Sequence, residues 1–375
     1  MRVGLLVYGD LDERSGGFLY DRKVADHLES AGETVRVFSL PERGYVRSLG
    51  HNASRSLRGR LRRADLDVLL QDELCHPSLA WFNRRLDLDA PVVAVVHHLR
   101  SAERRADWRN EVYRRIERRY LESVDAFVHN SRTTREAVAE LADPDPSVVA
   151  YPAGDRFAAI SDEVGEALDP DRIRERAHQG PLGVVFVGNV TRRKGVHTLV
   201  EGLERTRADW RLTVVGDLGV DREYVAEVWR QIGELGVGDR ITLTGRLPDE
   251  ALSELLADSH LLAMPSSYEG FGIAYVEAMG FGLPVLASTA GGARELVSHR
   301  ENGVLVDPAD PSEITDAVAP LCRNRDRLAE MGLAARETFL AHPTWAETGE
   351  RVRKFLAGLV SEAEPPAREA HGCPQ

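Results

Sequence analysis

The chain is built from one repeated unit, a short apolar run followed by a turn and then a polar, helical stretch. In the first half these runs fall at 2–8, 34–40, 67–71, 92–96, 126–128 and 148–151. In the second half they fall at 182–187, 211–215, 241–244, 260–264 and 284–287. Short continuous apolar runs that alternate with helices predict parallel sheets covered by helices on both faces.

The segment 151–180 separates the two sets of repeats. It contains Pro152, Gly154, Pro170 and Gly180, a composition typical of a hinge. A chain of 375 residues is long enough for two hydrophobic cores. The repeat and the hinge therefore predict two doubly wound domains with a ligand cleft at the carboxyl ends of their strands.

We therefore predict an α/β protein of two Rossmann-like parallel-sheet domains that face each other across a cleft. The expected boundaries are 1–165 for the first domain and 166–342 for the second. A helix over 343–360 is amphipathic and is expected to pack back on the first domain. The tail 361–375 is rich in proline and is expected to be disordered.

Composition and charge exclude several classes of protein. No apolar run reaches the roughly 18–20 residues of a membrane span, and the first strand is too short for a signal peptide. The net charge of −12 argues against a nucleic-acid partner. Three widely spaced cysteines show neither metal-ligand nor disulfide spacing, so we expect a cytosolic protein. Several Asp-x-Asp tripeptides lie in turns, where we expect caps and not a metal site.

The segment from Met264 to Met279 is the most informative one for chemistry. An apolar strand ends in Pro-Ser, and a glycine-rich turn leads into a helix that begins near Ile273. Amides at such a turn can bind phosphate or sugar hydroxyls. Glu269 lies in the turn and Glu277 in the helix, so both carboxylates can accept hydrogen bonds from hydroxyls in one cleft. The alternative is a helix-capping turn with solvated carboxylates.

A second motif runs from Phe186 to Gly195, where a strand, a loop and a helix start follow one another. Three adjacent cations, Arg192, Arg193 and Lys194, lie in the loop. Cations at a helix N-terminus suit a diphosphate, although a charge run can also be a solvated face.

Two weaker signals lie in the first half. Gly16 and Gly17 form a turn after the first strand, which could serve tight packing alone. His97 and His98 follow the apolar run 92–96, at the carboxyl edge expected to border the cleft. An isolated histidine is more often a packing residue, so only its position favours a functional role.

These motifs together resemble those of the retaining glycosyltransferases of family 4, which have the GT-B fold. The family pattern Glu-x7-Glu is complete here, within Pro-Ser…Glu-Gly-Phe-Gly…Glu-Ala-Met…Gly-x-Pro-Val. The resemblance spans nearly the whole chain and is strongest between about 183 and 310. It implies metal-independent transfer of a hexose-like sugar from a nucleoside-diphosphate sugar to an acceptor hydroxyl, with retention at the anomeric carbon and without a cofactor.

The resemblance also implies roles for the residues of the Glu-x7-Glu segment. Glu269 would contact the donor sugar, and Glu277 would bind the ribose of the nucleotide. The turn of Gly270, Phe271 and Gly272 would meet the sugar and the diphosphate through its amides.

In the cationic loop, the resemblance implies that Lys194 contacts the diphosphate. Asn189 stands where the family usually has an arginine, so Arg192 or Arg193 would supply that charge. We expect Asn189, Arg193 and Lys194 to bind the donor.

From the opposite wall, the resemblance places the loop of Gly16 and Gly17 near the donor phosphate and the acceptor, and His97 near the donor sugar. His98 occupies a position where an acidic residue is frequent in the family. We take Glu269, His97 and Lys194 as the catalytic residues.

The stretch Arg43–Arg63 holds seven arginines and no acidic residue, interleaved with apolar residues. It is either a solvated face or a surface that docks on an anionic membrane. We expect a peripheral contact with the inner face of the cell membrane, which would bring the enzyme to a lipid-linked or glycan acceptor. The alternatives for the whole chain are a nucleotide-sugar epimerase or hydrolase and a catalytically silent nucleotide-sugar-binding partner.

Overall fold

The computed structural model describes residues 1–11, 16–103, 107–157 and 169–363. In these ranges the strands form two six-stranded parallel sheets, with strand orders β2-β1-β3-β4-β5-β6 and β12-β11-β10-β7-β8-β9. The two-sheet architecture predicted from the repeat is confirmed. The boundary expected at 165/166 lies outside the described residues, as do residues 364–375 of the expected tail.

The first half consists of these elements. Its strands are β1 (Arg2–Tyr8), β2 (Thr34–Leu40), β3 (Val68–Asp72), β4 (Val92–Val96), β5 (Ala126–His129) and β6 (Ser147–Val149). Its helices are α1 (Gly16–Ser30), α2 (Tyr45–Ser48), α3 (Arg55–Arg62), α4 (His76–Leu79), α5 (Asp107–Leu121) and α6 (Arg132–Ala139).

The second half repeats the plan. Its strands are β7 (Leu182–Val187), β8 (Trp210–Val215), β9 (Ile241–Gly245), β10 (Leu261–Met264), β11 (Val285–Ser288) and β12 (Gly303–Val306). Its helices are α7 (Pro170–Ala177), α8 (Val196–Arg205), α9 (Arg222–Leu235), α10 (Asp249–Asp258), α11 (Ile273–Met279), α12 (Pro311–Arg323) and α13 (Arg325–Ala341), and α14 (Trp345–Ala363) ends the described chain. Single 3-10 turns lie at Leu49–Ala53, Glu73–Cys75, Asn83–Arg85, Arg100–Ala102, Asp155–Phe157, Arg192–Lys194, Gly238–Arg240 and Gly292–Glu295.

Local sequence explains where many of these elements begin. Strands β3 and β4 are buried along their whole length, as expected for central parallel strands covered on both faces. Asp169, from one of the Asp-x-Asp tripeptides, caps α7 by accepting from the backbone N–H of Asp171 at 2.8 Å. Pro170 then occupies the first helical position, where its missing N–H is harmless.

The last helix returns to the first half, as the predicted fold requires. Trp345, Val352 and Leu356 of α14 are buried in the same cluster as residues of α1 and β1. The Trp345 ring meets the edge of the Tyr20 ring at a centroid distance of 5.9 Å. The apolar face of α14 therefore completes the core of the first half.

A carboxylate of the second half joins the two halves beside the cleft. Glu295 accepts hydrogen bonds from the backbone N–H of Arg132 (3.0 Å) and Thr133 (2.7 Å) at the start of α6, and from the Tyr151 hydroxyl at 2.8 Å. A negative charge at a helix N-terminus is stabilised by the helix dipole. This contact, which we call the Glu295 clasp, fixes the spacing of the two walls.

The packing of α14 gives a stability prediction. Leu356→Ala should lower the free energy of unfolding by about 2–5 kcal/mol, because it opens a cavity at a buried position. Calorimetric melting measures the loss, and Lys354→Ala, at an exposed site on the same helix, is the control. Equal melting temperatures for the two variants would show that α14 is not docked as described.

Candidate functional site

A cleft lies between the carboxyl edges of the two sheets and has a volume of about 1280 Å³. All the site residues predicted from the sequence line it. From the first half come Gly16, Gly17, His97 and His98, and from the second half Asn189, Arg192, Arg193, Lys194, Glu269, Gly270, Phe271, Gly272 and Glu277.

Glu269 lies at the centre of a buried ion cluster. Its Oε1 is 2.6 Å from Lys194 Nζ and 3.2 Å from Arg193 Nη1. Burial alone would raise the pKa of Glu269, but the positive charges of Lys194 and Arg193 outweigh it and lower the pKa to about 2. Burial in turn lowers the pKa of Lys194. The carboxylate is therefore ionised at any physiological pH and held rigidly in the cleft.

The turn after Glu269 packs very closely against the first half. A side chain at position 270 would place its Cβ 2.0 Å from the carbonyl oxygen of His97, so only glycine fits. The Ser131 hydroxyl donates to the Gly270 carbonyl at 2.9 Å. Gly272 has a φ of +97°, which glycine adopts without strain, and it directs the chain into α11. The turn that carries Glu269 is thus shaped by both halves of the protein.

The cationic loop places its two arginines differently. Arg192 is exposed, forms an ion pair with Glu227 and lies over the Tyr224 ring at 5.2 Å. Arg193 instead donates to the carbonyl of Tyr268 at 2.7 Å, next to its contact with Glu269. Of the two candidates for the missing charge, Arg193 is the one beside the predicted donor site.

Asn189 occupies the arginine position of the family pattern and lines the cleft. Within the described part of the chain, its side chain makes no hydrogen bond. Its amide group is therefore available to a ligand, although it brings no charge.

Glu277 has a partner that no sequence motif indicated. Arg156, in the 3-10 turn Asp155–Phe157, brings Nε to 2.5 Å from Glu277 Oε1 and donates from Nη2 to Oε2 at 3.3 Å. Its Nη1 is 3.4 Å from Asp249 Oδ1, at the start of α10. Burial raises the pKa of Glu277, and the Arg156 charge opposes that rise. A lone arginine in a hinge segment matches no motif, so only the tertiary structure identifies it.

His97 also has a partner that sequence reasoning missed. Its Nε2 donates to Asp21 Oδ1 at 3.0 Å, and Asp72 Oδ1 is 4.0 Å away. Asp21 lies on α1, one turn after Gly17, and Asp72 ends β3. His98 points elsewhere and donates from Nε2 to Glu103 Oε1 at 3.2 Å.

Two groups of the described residues bring three potential metal ligands within 4.8 Å of one another: Asp21 with Asp72 and His97, and Glu73 with His76 and Glu117. In the first group the imidazole already donates to Asp21, and in the second His76 Nδ1 donates to the Glu73 carbonyl at 3.0 Å. The first group is therefore a hydrogen-bonded acid–imidazole pair, and the second is an imidazole bonded to the backbone with the Glu73 carboxylate 3.0 Å from its Nδ1; we assign a metal to neither.

The cleft combines cations, amides and an ionised carboxylate on one wall with an imidazole on the other. Lys194 and Arg193 suit an anionic group such as a diphosphate. Glu269 and Glu277 suit hydroxyl groups, and the volume of the cleft leaves room for a ligand with both features.

Two family models match the chain. One, described as "Glycosyl transferases group 1", matches residues 169–338, and one described as "Glycosyl transferase 4-like domain" matches residues 9–154. The first of these models spans β7 to β12, the whole second sheet, and the other spans β2 to β6 of the first sheet.

Curated relatives cover much of the chain. The GDP-mannose-dependent alpha-(1-6)-phosphatidylinositol monomannoside mannosyltransferase of Mycolicibacterium smegmatis is 33% identical over 258 residues, which are 64% of this chain and 64% of the relative. The chain thus spans less than two thirds of that relative's length. The D-inositol 3-phosphate glycosyltransferase of Corynebacterium efficiens is 31% identical over 310 residues, which are 76% of this chain and 69% of the relative.

Solved structures share the fold. Sucrose-phosphate synthase from Thermosynechococcus elongatus superposes with a TM-score of 0.80 at 20% identity, covering 96% of this chain and 99% of that one. HepE of Anabaena in complex with UDP-glucose superposes with a TM-score of 0.74 at 21% identity, covering 96% and 100%. The overall architecture is therefore GT-B.

The Arg156–Glu277 pair gives a prediction that needs no substrate. Arg156→Met should destabilise the protein by about 3 kcal/mol at pH 8, because it leaves a buried carboxylate without its counter-charge. Since burial raises the pKa of Glu277 in the folded state, protonation relieves this penalty as the pH falls. Urea unfolding should therefore show a smaller loss at pH 5 than at pH 8.

The double variant Arg156→Met/Glu277→Gln is the control, because it removes the charge together with its partner. It should recover most of the loss at pH 8. An Arg156→Met loss that is the same at both pH values, and unchanged in the double variant, would contradict this account.

Proposed function

Because the chain belongs to the group 1 glycosyl transferases, we propose that it transfers a sugar from a nucleoside-diphosphate sugar to an acceptor hydroxyl, with retention at the anomeric carbon. The observation that carries the proposal is the Glu269 cluster. An ionised carboxylate and two cations lie together in the cleft. The carboxylate can accept hydrogen bonds from the hydroxyls of a sugar, and the cations can bind the diphosphate attached to that sugar.

The same geometry supports a mechanism. Lys194 and Arg193 would stabilise the charge that develops on the departing diphosphate. A hydrogen-bond donor in such a position typically lowers the activation free energy by roughly 3–4 kcal/mol. Glu269 would accept from hydroxyls of the sugar, and Glu277, held by Arg156, from the ribose. The acceptor would approach along the first-half wall, between the loop of Gly16 and Gly17 and His97.

We propose that these steps use neither a metal ion nor a cofactor. The cations of the loop supply the positive charge that a metal ion would otherwise bring to the diphosphate. The proposal therefore includes metal-independent transfer without a cofactor.

The donor can be identified by thermal shift. We expect one class among UDP-, GDP-, ADP- and dTDP-sugars to raise the melting temperature, by an amount that corresponds to about 2.7 kcal/mol at a hundredfold excess over Kd. GDP-mannose is tested first, because the mannosyltransferase relatives are named for it. Lys194→Ala and Glu277→Ala should abolish the shift, since each removes a donor contact.

Further outcomes separate the alternatives. Binding without turnover over a broad set of acceptors would support a silent nucleotide-sugar-binding partner. Donor turnover without any acceptor would support an epimerase or hydrolase. No shift with any donor would contradict the proposed donor site.

We also propose that the first half contacts an anionic membrane and thereby reaches a lipid-linked or glycan acceptor. Of the helices in the described ranges, none combines the length and apolar composition needed to cross a bilayer. Within Arg43–Arg63, Val46 of α2 is 77% exposed, and Trp108 of the neighbouring α5 is 67% exposed. The rings of Tyr45 and Tyr113, 4.6 Å apart, join these two helices. Exposed apolar side chains among arginines suit the interface of an anionic bilayer.

Sedimentation with vesicles of anionic phospholipid tests the membrane contact. Wild type should bind at low salt and be released at high salt, because salt screens the attraction of about 1 kcal/mol between each basic residue and the anionic surface. Trp108→Ala should weaken binding. Trp229→Ala is the matched control, since Trp229 is 48% exposed but lies on α9 of the second half. Equal binding by the two variants, or none at low salt, would exclude this surface.

A further inference from the structure

The imidazole of His97 has two ring nitrogens in different surroundings. Nε2 donates to Asp21 Oδ1 at 3.0 Å, and both side chains are buried. Within the described residues Nδ1 has no hydrogen-bond partner, yet it is not sealed from solvent, and His97 lines the cleft. One ring nitrogen is therefore tied to the protein, and the other is open to a ligand.

The ring is held by more than this hydrogen bond. The Tyr20 ring meets its edge at a centroid distance of 5.3 Å, and the Tyr20 hydroxyl is itself fixed to the Ala150 carbonyl at 2.9 Å. A Cβ at position 17 would lie 3.3 Å from the His97 ring, so the glycine there lets the helix approach it. These contacts leave the ring little freedom to turn.

The charged and titratable groups around the ring come from α1 and from the end of β3. They are Asp21 and Tyr20 on α1, and Asp72 and Glu73 at the end of β3. Burial alone would lower the pKa of His97, but the Asp21 carboxylate outweighs it and raises the pKa to about 9. Burial, with the nearby Asp21 charge, raises the pKa of Asp72 to about 8.

At neutral pH His97 is therefore an imidazolium beside Asp21, and Asp72 is protonated. An imidazolium donates from both nitrogens and cannot accept a proton. A neutral imidazole with Nε2–H bound to Asp21 would instead present a bare acceptor at Nδ1. The charges around His97 thus decide whether its Nδ1 acts as a hydrogen-bond donor or as an acceptor in the cleft.

We propose that Asp21, with Asp72 near the same ring nitrogen, is a positioning residue that keeps His97 an imidazolium whose Nδ1–H donates into the cleft to an oxygen of the bound substrate. His97 is then a hydrogen-bond donor and not a general base. The part of this statement that concerns the substrate rests on the proposed function, whereas the charge and orientation of His97 do not.

The first arm of the test follows the proton directly. The resonance of the His97 Cε1–H, identified by its absence from His97→Gln, is followed by NMR as a function of pH. It should titrate above pH 8 in wild type. In Asp21→Asn it should titrate at least one pH unit lower, because burial is then less opposed. Asp26→Asn, an exposed site on the same helix, should leave it unchanged.

The second arm uses turnover of the donor found by thermal shift. Activity that depends on the imidazolium is lost as pH rises through the pKa of His97. The upper limb of the wild-type profile should therefore fall near pH 9, and that of Asp21→Asn lower by the difference seen in NMR. At a pH above both limbs, a pKa of His97 that is lower by one lowers activity about tenfold. Nucleotide binding by the second half should persist in Asp21→Asn and shows that the variant is folded.

The outcomes separate the two proposals. A His97 resonance that titrates at or below pH 6.5 in wild type, or equally in wild type and Asp21→Asn, overturns the inference whatever the enzyme does. A shifted resonance with an unshifted pH profile overturns the role toward substrate. Failure of wild type to bind any nucleotide sugar overturns the proposed function, and the NMR titration still decides the state of His97.

Discussion

The ion pair between Lys194 and Glu269, 2.6 Å long, connects the cationic loop to the turn that carries the proposed donor site. It joins the loop after β7 to the turn after β10, two strands that are neighbours in the second sheet. A buried carboxylate without such a partner would take up a proton and lose its charge. With Lys194 and Arg193 beside it, Glu269 stays ionised, and its turn is fixed at the point where the first half packs against it.

The first half completes this arrangement through contacts that leave no room for adjustment. Gly270 touches the His97 carbonyl, Ser131 bonds the Gly270 carbonyl, and the Glu295 clasp caps α6 from the other side of the cleft. Because packed interfaces change between discrete arrangements and do not deform continuously, opening of the cleft would break these contacts together. The position of Glu269 therefore depends on the two halves being packed against each other.

Buried ionisable groups are concentrated along the edges of the sheets that form the cleft. Glu269 and Glu277 lie on the second-half wall, and Asp21, Asp72 and His97 on the first. Burial disfavours the charged form of each group, and neighbouring cations or carboxylates outweigh it for Glu269 and His97. Perturbed ionisation clustered in one cleft is typical of a functional site, and here it occurs on both walls.

The sequence by itself predicted the fold and candidate residues on both walls of the cleft. The repeated apolar runs predicted two parallel sheets, because the run length and spacing of buried strands are local properties of the chain. The Glu-x7-Glu segment and the cationic loop are likewise contiguous motifs, so Glu269, Glu277 and Lys194 could be named from them. Only the tertiary structure decided that Arg193 and not Arg192 lies beside Glu269, that Arg156 holds Glu277, and that Asp21 and Asp72 flank His97. These pairs are far apart in the chain and have no shared spacing, and they meet because parallel strands bring distant loops to one edge.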